Sequence, residues 1–407
     1  MPRGDTIAGL DIGTTKTCAI VASSGPEGLE IIGIGEAPST GIRKGVVTDL
    51  EETIRSIEAA TEKAERMAGV HISHVYVGVT GEHVASTNNR AVVAVAGDER
   101  EVGAADVRRV VDASKIINIG ADRQIIHALP RHFTIDGQDG VTDPVGMSGG
   151  RLEVDTHIVT GGSSFITNVL KCVHRAGLEP AGIVFEPLAS SASTLLPEEK
   201  HVGVVLLDIG GGTTDIAVYA SGGVVHTATI PVGGNILTND IALGLKTTFA
   251  EAENLKRTYG SGVAKPNEND TVTFPVKTLD GRSTRDVSAA QLRGIVVPRL
   301  LEIFRLAKAN IGEHVARDLI IGEVVITGGG AHLRGIEATA ADFFGLPVRV
   351  GVPSIIAGLT DAVKQPEYAT AVGLVLFGPR GDGWPNGTAR THGAFSRLWT
   401  WFSSIWN

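Results

Sequence analysis

Residues 204–219 read Val204-Val205-Leu206-Leu207-Asp208-Ile209-Gly210-Gly211-Gly212-Thr213-Thr214-Asp215-Ile216-Ala217-Val218-Tyr219. An apolar run stops at an acid, crosses three glycines and two threonines, and resumes as a second apolar run. That is the pattern of a β-hairpin whose turn cradles phosphates. Gly210, Gly211 and Gly212 carry no Cβ, so successive backbone N–H groups can converge on an anion at close range. Thr213 and Thr214 add hydroxyl donors. Asp208 and Asp215 would repel phosphate directly, but their hard carboxylate oxygens suit a hydrated Mg²⁺ carried on a polyphosphate. Taken alone, the same residues also describe a tight hairpin with a solvated acid at each end.

A second copy favours the first reading. Ile7 to Val21 runs apolar, then Asp11-Ile12-Gly13-Thr14-Thr15-Lys16, then apolar again. Asp11 matches Asp208, Gly13 matches Gly210, and Thr14-Thr15 match Thr213-Thr214. Lys16, a point cation suited to phosphate, stands where the other copy has Asp215, a difference expected of two loops that face one nucleotide from opposite sides. A third turn, Thr327-Gly328-Gly329-Gly330-Ala331, follows the strand-like run Glu323 to Ile326. Two related halves closing on one ligand constitute an internal repeat.

This arrangement resembles the actin, Hsp70 and sugar-kinase superfamily. The resemblance implies an α/β, actin-like fold in which two duplicated βββαβα-type domains clamp ATP and Mg²⁺ between two phosphate hairpins and an adenosine-contacting turn. Within the superfamily the chain is similar to the FtsA cell-division family. That likeness rests on Gly41-Ile42-Arg43-Lys44-Gly45-Val46-Val47, on Asp143-Pro144-Val145-Gly146-Met147-Ser148-Gly149, and on the end of the chain. It spans about residues 5–378 plus the terminal segment.

Composition sets the bounds. A chain of 407 residues accommodates two or more domains with sizeable cores. Its 43% hydrophobic and 20% charged content is that of an ordinary soluble protein. A net charge of −9 argues against nucleic acid as a partner, because phosphate backbones are met by basic surfaces. Cys18 and Cys172 give no disulfide framework and fit two buried thiols in a reducing cytosol. Met1 to Asp5 do not form a signal peptide, and no apolar run reaches the about 20 residues of a spanning helix.

Along the chain, three strands within 6–37 precede a helix from Leu50, capped by Thr48-Asp49 and ended by Gly69, and then a strand over Val75 to Val79. His71 and His74 read as surface histidines, with no third ligand nearby. The resemblance divides the chain into a first domain (1–82, 161–198 and 355–378), an inserted subdomain (83–160), a second domain (199–230 and 301–354), a small subdomain (231–300), a linker (379–393) and an amphipathic membrane-targeting helix (394–407). The inserted subdomain shows a helix over Ala104 to Ser114 and strands at Arg131 to Ile135 and Arg151 to Val159. In the family it contacts the neighbouring subunit of a filament; a merely decorative insertion is the alternative.

A strand ending Ile183-Val184-Phe185 and followed by Glu186-Pro187 resembles the superfamily's first connecting segment, whose polar residue faces metal-bound water. Glu186 is therefore the candidate for positioning water, against the plainer reading of an exposed loop carboxylate. After the central hairpin, Val232-Gly233-Gly234-Asn235 opens a helix, and Gly233, Gly234 and Asn235 are candidate nucleotide-binding residues. Glu253 and Lys256 share one face of the next helix; they make either a surface ion pair or, as matching residues in relatives do, contacts to ribose and adenine. Residues 260–287 have the profile of a small peripheral β-subdomain. Ser288 to Gln291 form a capping box for a long helix that Pro298 should kink. In a final helix around Thr370 to Leu374, Gly373 should allow close approach to the opposite domain.

Past Phe377 a Gly/Pro-rich tether leads to Ala394–Trp406. Phe395, Leu398, Trp399, Phe402, Ile405 and Trp406 share one helical face, and Ser396, Arg397, Thr400, Ser403 and Ser404 the other. The pattern fits an interfacial membrane helix better than a helix docked on its own fold. Family tails carry more Lys and Arg than Arg390 and Arg397, which shifts the work here from anionic-lipid attraction to aromatic insertion.

The resemblance thus implies a cytoplasmic, ATP-binding, actin-like cell-division protein. It would polymerise on the inner face of the bacterial membrane at the division site, bind the FtsZ C-terminal tail to anchor that ring, associate with itself and with anionic lipid, and recruit later division proteins. Hydrolysis would be weak at most. A sugar-kinase-like phosphotransferase on the same fold, which would have no use for such a tail, is the alternative, as is another actin-like assembly ATPase such as a pilus-assembly protein. An Hsp70-like chaperone would need a peptide-binding domain for which the chain leaves no room.

Overall fold

The computed structural model describes residues 6–25, 28–96, 100–265, 271–315, 319, 321–354, 357–358 and 360–377. The first repeat opens with β1 (Thr6–Ile12), β2 (Lys16–Gly25) and β3 (Gly28–Pro38), then a ribbon of β4 (Ile42–Arg43) and β5 (Val46–Val47). Helix α1 (Leu50–Ala68) begins where the Asp49 side chain accepts from the Glu52 N–H and ends at Gly69, whose φ is 63°. It presses its buried stripe of Ile54, Ile57, Ala60 and Ala64 on the sheet. Strand β6 (His74–Val79) follows.

The inserted segment contributes β7 (Val84–Ala94), α2 (Ala104–Ser114), β8 (Arg123–Ile135), β9 (Gln138–Val141) and β10 (Arg151–Gly162). Its sheet, ordered β7-β10-β8-β9, has its own core of Val110, Phe133, Leu152 and Val154. Strand β8 begins eight residues before the Arg131 expected from sequence, since Arg123 to Pro130 also pair with β10. The chain then returns through α3 (Ser163–Arg175), β11 (Glu179–Phe185), α4 (Glu186–Thr194) and α5 (Pro197–Val202).

The second repeat comprises β12 (Val204–Ile209), β13 (Thr214–Ala220) and β14 (Gly223–Ile230), α6 (Gly234–Gly244) and α7 (Phe249–Tyr259), β15 (Thr273–Lys277) and β16 (Thr284–Ser288), α8 (Ala289–His314), β17 (Glu323–Thr327), α9 (Ile336–Phe344) and β18 (Val348–Val350). Then come β19 (Ala357–Gly358), α10 (Thr360–Val363) and α11 (Ala369–Phe377).

The duplication is explicit in topology. One sheet is ordered β11-β6-β1-β2-β3-β19, the other β14-β13-β12-β17-β18. In each, the first three strands form an antiparallel meander and the next two join parallel to the first strand. Strands β12 and β13 are buried along their whole length, as expected of a sheet covered on both faces.

Two expectations need amending, those for residues 260–287 and for Gly373. The region 260–287 yields only the two-stranded ribbon β15-β16, and the small subdomain owes its core mainly to α6, α7 and the start of α8. Helix α8 runs through Pro298 as one element; Leu292 and Val296 pack in that small core, whereas Leu300, Phe304 and Ala307 pack on the second sheet, so the expected boundary at 300 falls inside a continuous helix. Gly373 makes its close approach to the backbone of Ala189 in α4, not to the second sheet, while α4 in turn contacts β12 and β13. The linker and the amphipathic face of Phe395, Leu398, Trp399, Phe402, Ile405 and Trp406 lie outside the described residues. Among the described residues no helix is long and apolar enough to cross a membrane.

Candidate functional site

The two Gly-Thr turns close with the same hydrogen bond, Gly13 N–H to Lys16 O at 3.1 Å and Gly210 N–H to Thr213 O at 2.9 Å. They meet tip to tip. A Cβ on Gly212 would lie 2.5 Å from Oγ1 of Thr14, and one on Gly211 would overlap Oγ1 of Thr15. Only glycine at these two positions lets the hairpins approach this closely. The second turn is also tied to the start of α6, where Gly234 N–H and Asn235 N–H donate to the carbonyls of Gly210 and Gly211, both at 2.8 Å.

Between the hairpins lies a cavity of about 610 Å³, within the range of small-molecule sites. Asp11, Gly13, Thr14, Thr15 and Lys16 line it from one side, and Asp208, Gly210, Gly211, Thr213 and Asp215 from the other. Gly234, Asn235, Glu253, Lys256, Gly328, Gly329, Gly330 and Glu186, also named from sequence, line it as well. Three residues named from sequence do not line it. Gly212 is turned onto Thr14. The Thr214 hydroxyl donates to the Val232 carbonyl at 2.7 Å. Gly233 is wedged against Gly210 and Thr213, where it lets α6 dock.

Asp11, Glu186, Asp208 and Asp215 are each buried. Burial is the leading cause that pushes the carboxyls of Asp11 and Asp215 up to about 7; the Lys16 charge offsets part of it at Asp11, and the negative charge of Asp208 adds to it at both. The carboxyl of Glu186 is held well above the usual range, first by burial and then by the charges of Asp11, Asp215 and Asp208. Asp208 is raised by burial against the opposing effect of hydrogen bonds from Ser190 and Thr370. Glu186 is thus no exposed loop acid: it starts α4, and a Cβ on Gly78 would lie 3.3 Å from its Oε1.

Lys16 is half-buried, bonded to Glu36 at 2.6 Å and set over the Tyr368 ring at 3.7 Å. Lys256 pairs with Glu253 at 2.7 Å and donates to the Gly234 carbonyl at 3.1 Å, which orients both toward the cavity. Among the described residues no three His, Cys, Asp or Glu side chains converge as a ready-made metal cage.

Sequence reasoning missed several polar groups. Ser190 and Thr370 donate to Oδ2 of Asp208 at 2.5 and 3.1 Å. Thr80 and Thr229 donate to Oδ1 of Asp215 at 2.5 and 2.6 Å. Glu36 and Tyr368 hold Lys16, and the Pro366 carbonyl accepts from Gly328 N–H at 3.1 Å, which fixes the third glycine turn. A polar residue ending an apolar run, as Thr80 does after β6, was the one local signal available.

A profile of the family described as "Cell division protein FtsA" matches residues 205–373, and one described as "SHS2 domain inserted in FTSA" matches residues 81–160. Over 377 residues the chain is 43% identical to the cell division protein FtsA of Pseudomonas aeruginosa, an alignment covering 92% of this chain and 89% of that one. The chain belongs to the FtsA family. Solved structures give the fold. The PilM–PilN type IV pilus biogenesis complex matches with a TM-score of 0.67 at 18% identity, covering 93% of this chain and 99% of that chain. MreB5 of Spiroplasma citri bound to ADP matches with a TM-score of 0.55 at 16% identity, covering 91% and 95%. The fold is actin-like, carrying the inserted SHS2 subdomain of FtsA proteins.

Proposed function

We propose that this FtsA-family chain binds ATP with Mg²⁺ in the cleft between its two hairpins, polymerises at the cytoplasmic face of the bacterial membrane, and anchors the FtsZ ring there while later division proteins join. The observation that carries the reading is the tip-to-tip approach of Gly211 and Gly212 to Thr15 and Thr14, with four buried carboxylates behind them. Backbone N–H groups and threonine hydroxyls at the tips suit phosphate oxygens. Carboxylates with raised pKa values suit a bound cation that would let them ionise.

Asp11 and Asp208 would hold Mg²⁺ through water, and Lys16 would exchange its Glu36 partner for phosphate. Glu253 and Lys256 would face the ribose and adenine, and Gly328 to Gly330 the adenosine. Mg²⁺, when bound, supplies the positive charge that neutralises the polyphosphate. Glu186, at the carboxylate cluster, would orient a water toward the terminal phosphate. On this reading the chain is at most a weak ATPase.

Domain by domain, residues 83–160 would meet the neighbouring subunit of the filament and residues 231–300 the FtsZ tail, while residues 394–407 would lie in the membrane interface. The test is pelleting of the full chain with anionic liposomes, with and without ATP, followed by electron microscopy. ATP-dependent filaments on lipid support the reading. A chain that neither pellets nor assembles refutes it.

A further inference from the structure

The residue before Glu186 is bonded from the inserted sheet. The backbone N–H of Phe185, at the junction of β11 and α4, donates to Nε2 of His127 at 2.9 Å. His127 lies on β8 of the inserted sheet and is 1% exposed. Burial holds the imidazole neutral, its pKa pulled down to about 3. Because Nε2 accepts, the ring proton sits on Nδ1, a buried atom without a hydrogen-bond partner. The ring is clasped edge to face by Phe377 of α11, with centroids 5.6 Å apart and planes at 84°.

An orphaned Nδ1–H is unfavourable, and an apolar residue of similar volume would fill the same space without one. What the imidazole supplies is an acceptor for the Phe185 N–H, fixed in direction by a rigid ring. The next residue in the chain is Glu186, whose carboxylate is confined against Gly78 at the end of β6. A second strut runs in parallel: His157 of β10 bonds Oγ1 of Thr227 at 2.9 Å, and Thr229, two residues further on the same side of β14, donates to Asp215. The inserted subdomain therefore bonds chain neighbours of two of the four carboxylates, Phe185 beside Glu186 and Thr227 near the Thr229 that holds Asp215.

We propose that His127 is a positioning residue, by which the inserted subdomain sets the direction Glu186 presents to the cleft. The inference rests on the reading of Glu186 given above.

The test compares the full-length wild type with His127→Leu, which keeps bulk but removes the acceptor, and His127→Gln, which restores one. Affinity is measured for Mg²⁺-ADP alone and for Mg²⁺-ADP with aluminium fluoride, a mimic of the phosphoryl group in transit whose capture reads the placement of the attacking water. Expected is an ADP affinity within about twofold in all three, a gain on adding fluoride that falls about tenfold in His127→Leu, and recovery of most of that gain in His127→Gln. Equal gains in wild type and His127→Leu overturn the proposal, as does a His127→Leu chain that loses ADP and the fluoride complex alike, which marks a merely structural role. His127→Gln behaving like His127→Leu overturns it as well. Wild type that binds ADP with no gain from fluoride leaves His127 nothing to position and also overturns it. Wild type that fails to bind ADP removes the nucleotide reading first, so the two failures are distinguishable.

Discussion

Thr80, at the end of the first sheet's β6, donates its hydroxyl to Oδ1 of Asp215 in the second sheet at 2.5 Å. The bond joins residues 135 positions apart and spans the cleft, and Thr229 donates to the same oxygen from β14. One carboxylate thus links the two halves of the molecule.

Removing that link should be felt as stability. Thr80→Val keeps the shape and deletes a buried donor to a carboxylate, and is expected to lower the free energy of unfolding by about 1–3 kcal/mol. Thr80→Ser, which keeps the hydroxyl, should lose less. Urea denaturation of the two variants is the check, and equal losses would show that the methyl group, not the bond, mattered.

The carboxylate cluster should give the ligand-free protein an inverted pH response. Asp11 and Asp215 have folded pKa values raised from 3.8 to about 7, so between those values the folded state holds protons that the unfolded state has released. Stability contributed by the protonated forms is complete below about pH 4 and is lost as pH rises through about 7. Asp215→Asn, neutral at every pH, should therefore stabilise the ligand-free chain at pH 8 by on the order of 1–3 kcal/mol and flatten the slope between pH 5 and 8. Thermal melts at both pH values decide it; an Asn variant less stable at pH 8 contradicts the electrostatic account.

Much of this site was legible because its signals are local. Gly-Thr turns between apolar runs mark both hairpins, Asp49 and Gly69 mark the ends of α1, and Glu186-Pro187 marks the start of α4. Thr80, Ser190, Thr229 and Thr370 were not legible, since each is an isolated hydroxyl whose partner is chosen by packing between distant segments. Glu36 and Tyr368 escaped for the same reason: they come to Lys16 from the end of β3 and the approach to α11. Residues 260–287 do supply the strands β15 and β16, with Phe274, Val276 and Val287 buried, but most of the buried positions that join them belong to helices, which a reading confined to that stretch could not see.

Membrane attachment should be marginal for one subunit and firm for a filament. Burying five or six large apolar side chains of the terminal segment gains roughly 8–15 kcal/mol at most, and ordering about a dozen residues costs about 1–2 kcal/mol each. The terms nearly cancel, so the proposed attachment would rely on many tails acting together. Deleting residues 394–407 should abolish liposome pelleting and spare ATP binding. Trp399→Glu should do nearly the same, and Ser403→Glu far less; equal harm from the two Glu variants would contradict an inserted face.

Leu237, Ile241, Leu255 and Leu292, within the proposed 231–300 subdomain, share a core separate from that of the second sheet. A chain lacking this subdomain should lose at least about tenfold in affinity for the FtsZ tail peptide, measured by fluorescence anisotropy. Unchanged binding would move the contact elsewhere.

The central claim, that the two hairpins clamp Mg²⁺-ATP, is met most directly by calorimetric titration of Mg²⁺-ATP into wild type, Gly211→Val and Asp208→Ala, with Lys16→Ala titrated against both ATP and AMP. Valine at 211 would collide with Thr15, alanine at 208 would remove the proposed acceptor for metal-bound water, and Lys16 would face phosphate charge. Expected is saturable binding to wild type, none detectable in the first two variants, and a Lys16→Ala loss larger for ATP than for AMP. Wild-type affinity retained in both Gly211→Val and Asp208→Ala would contradict the assignment of this cleft to nucleotide.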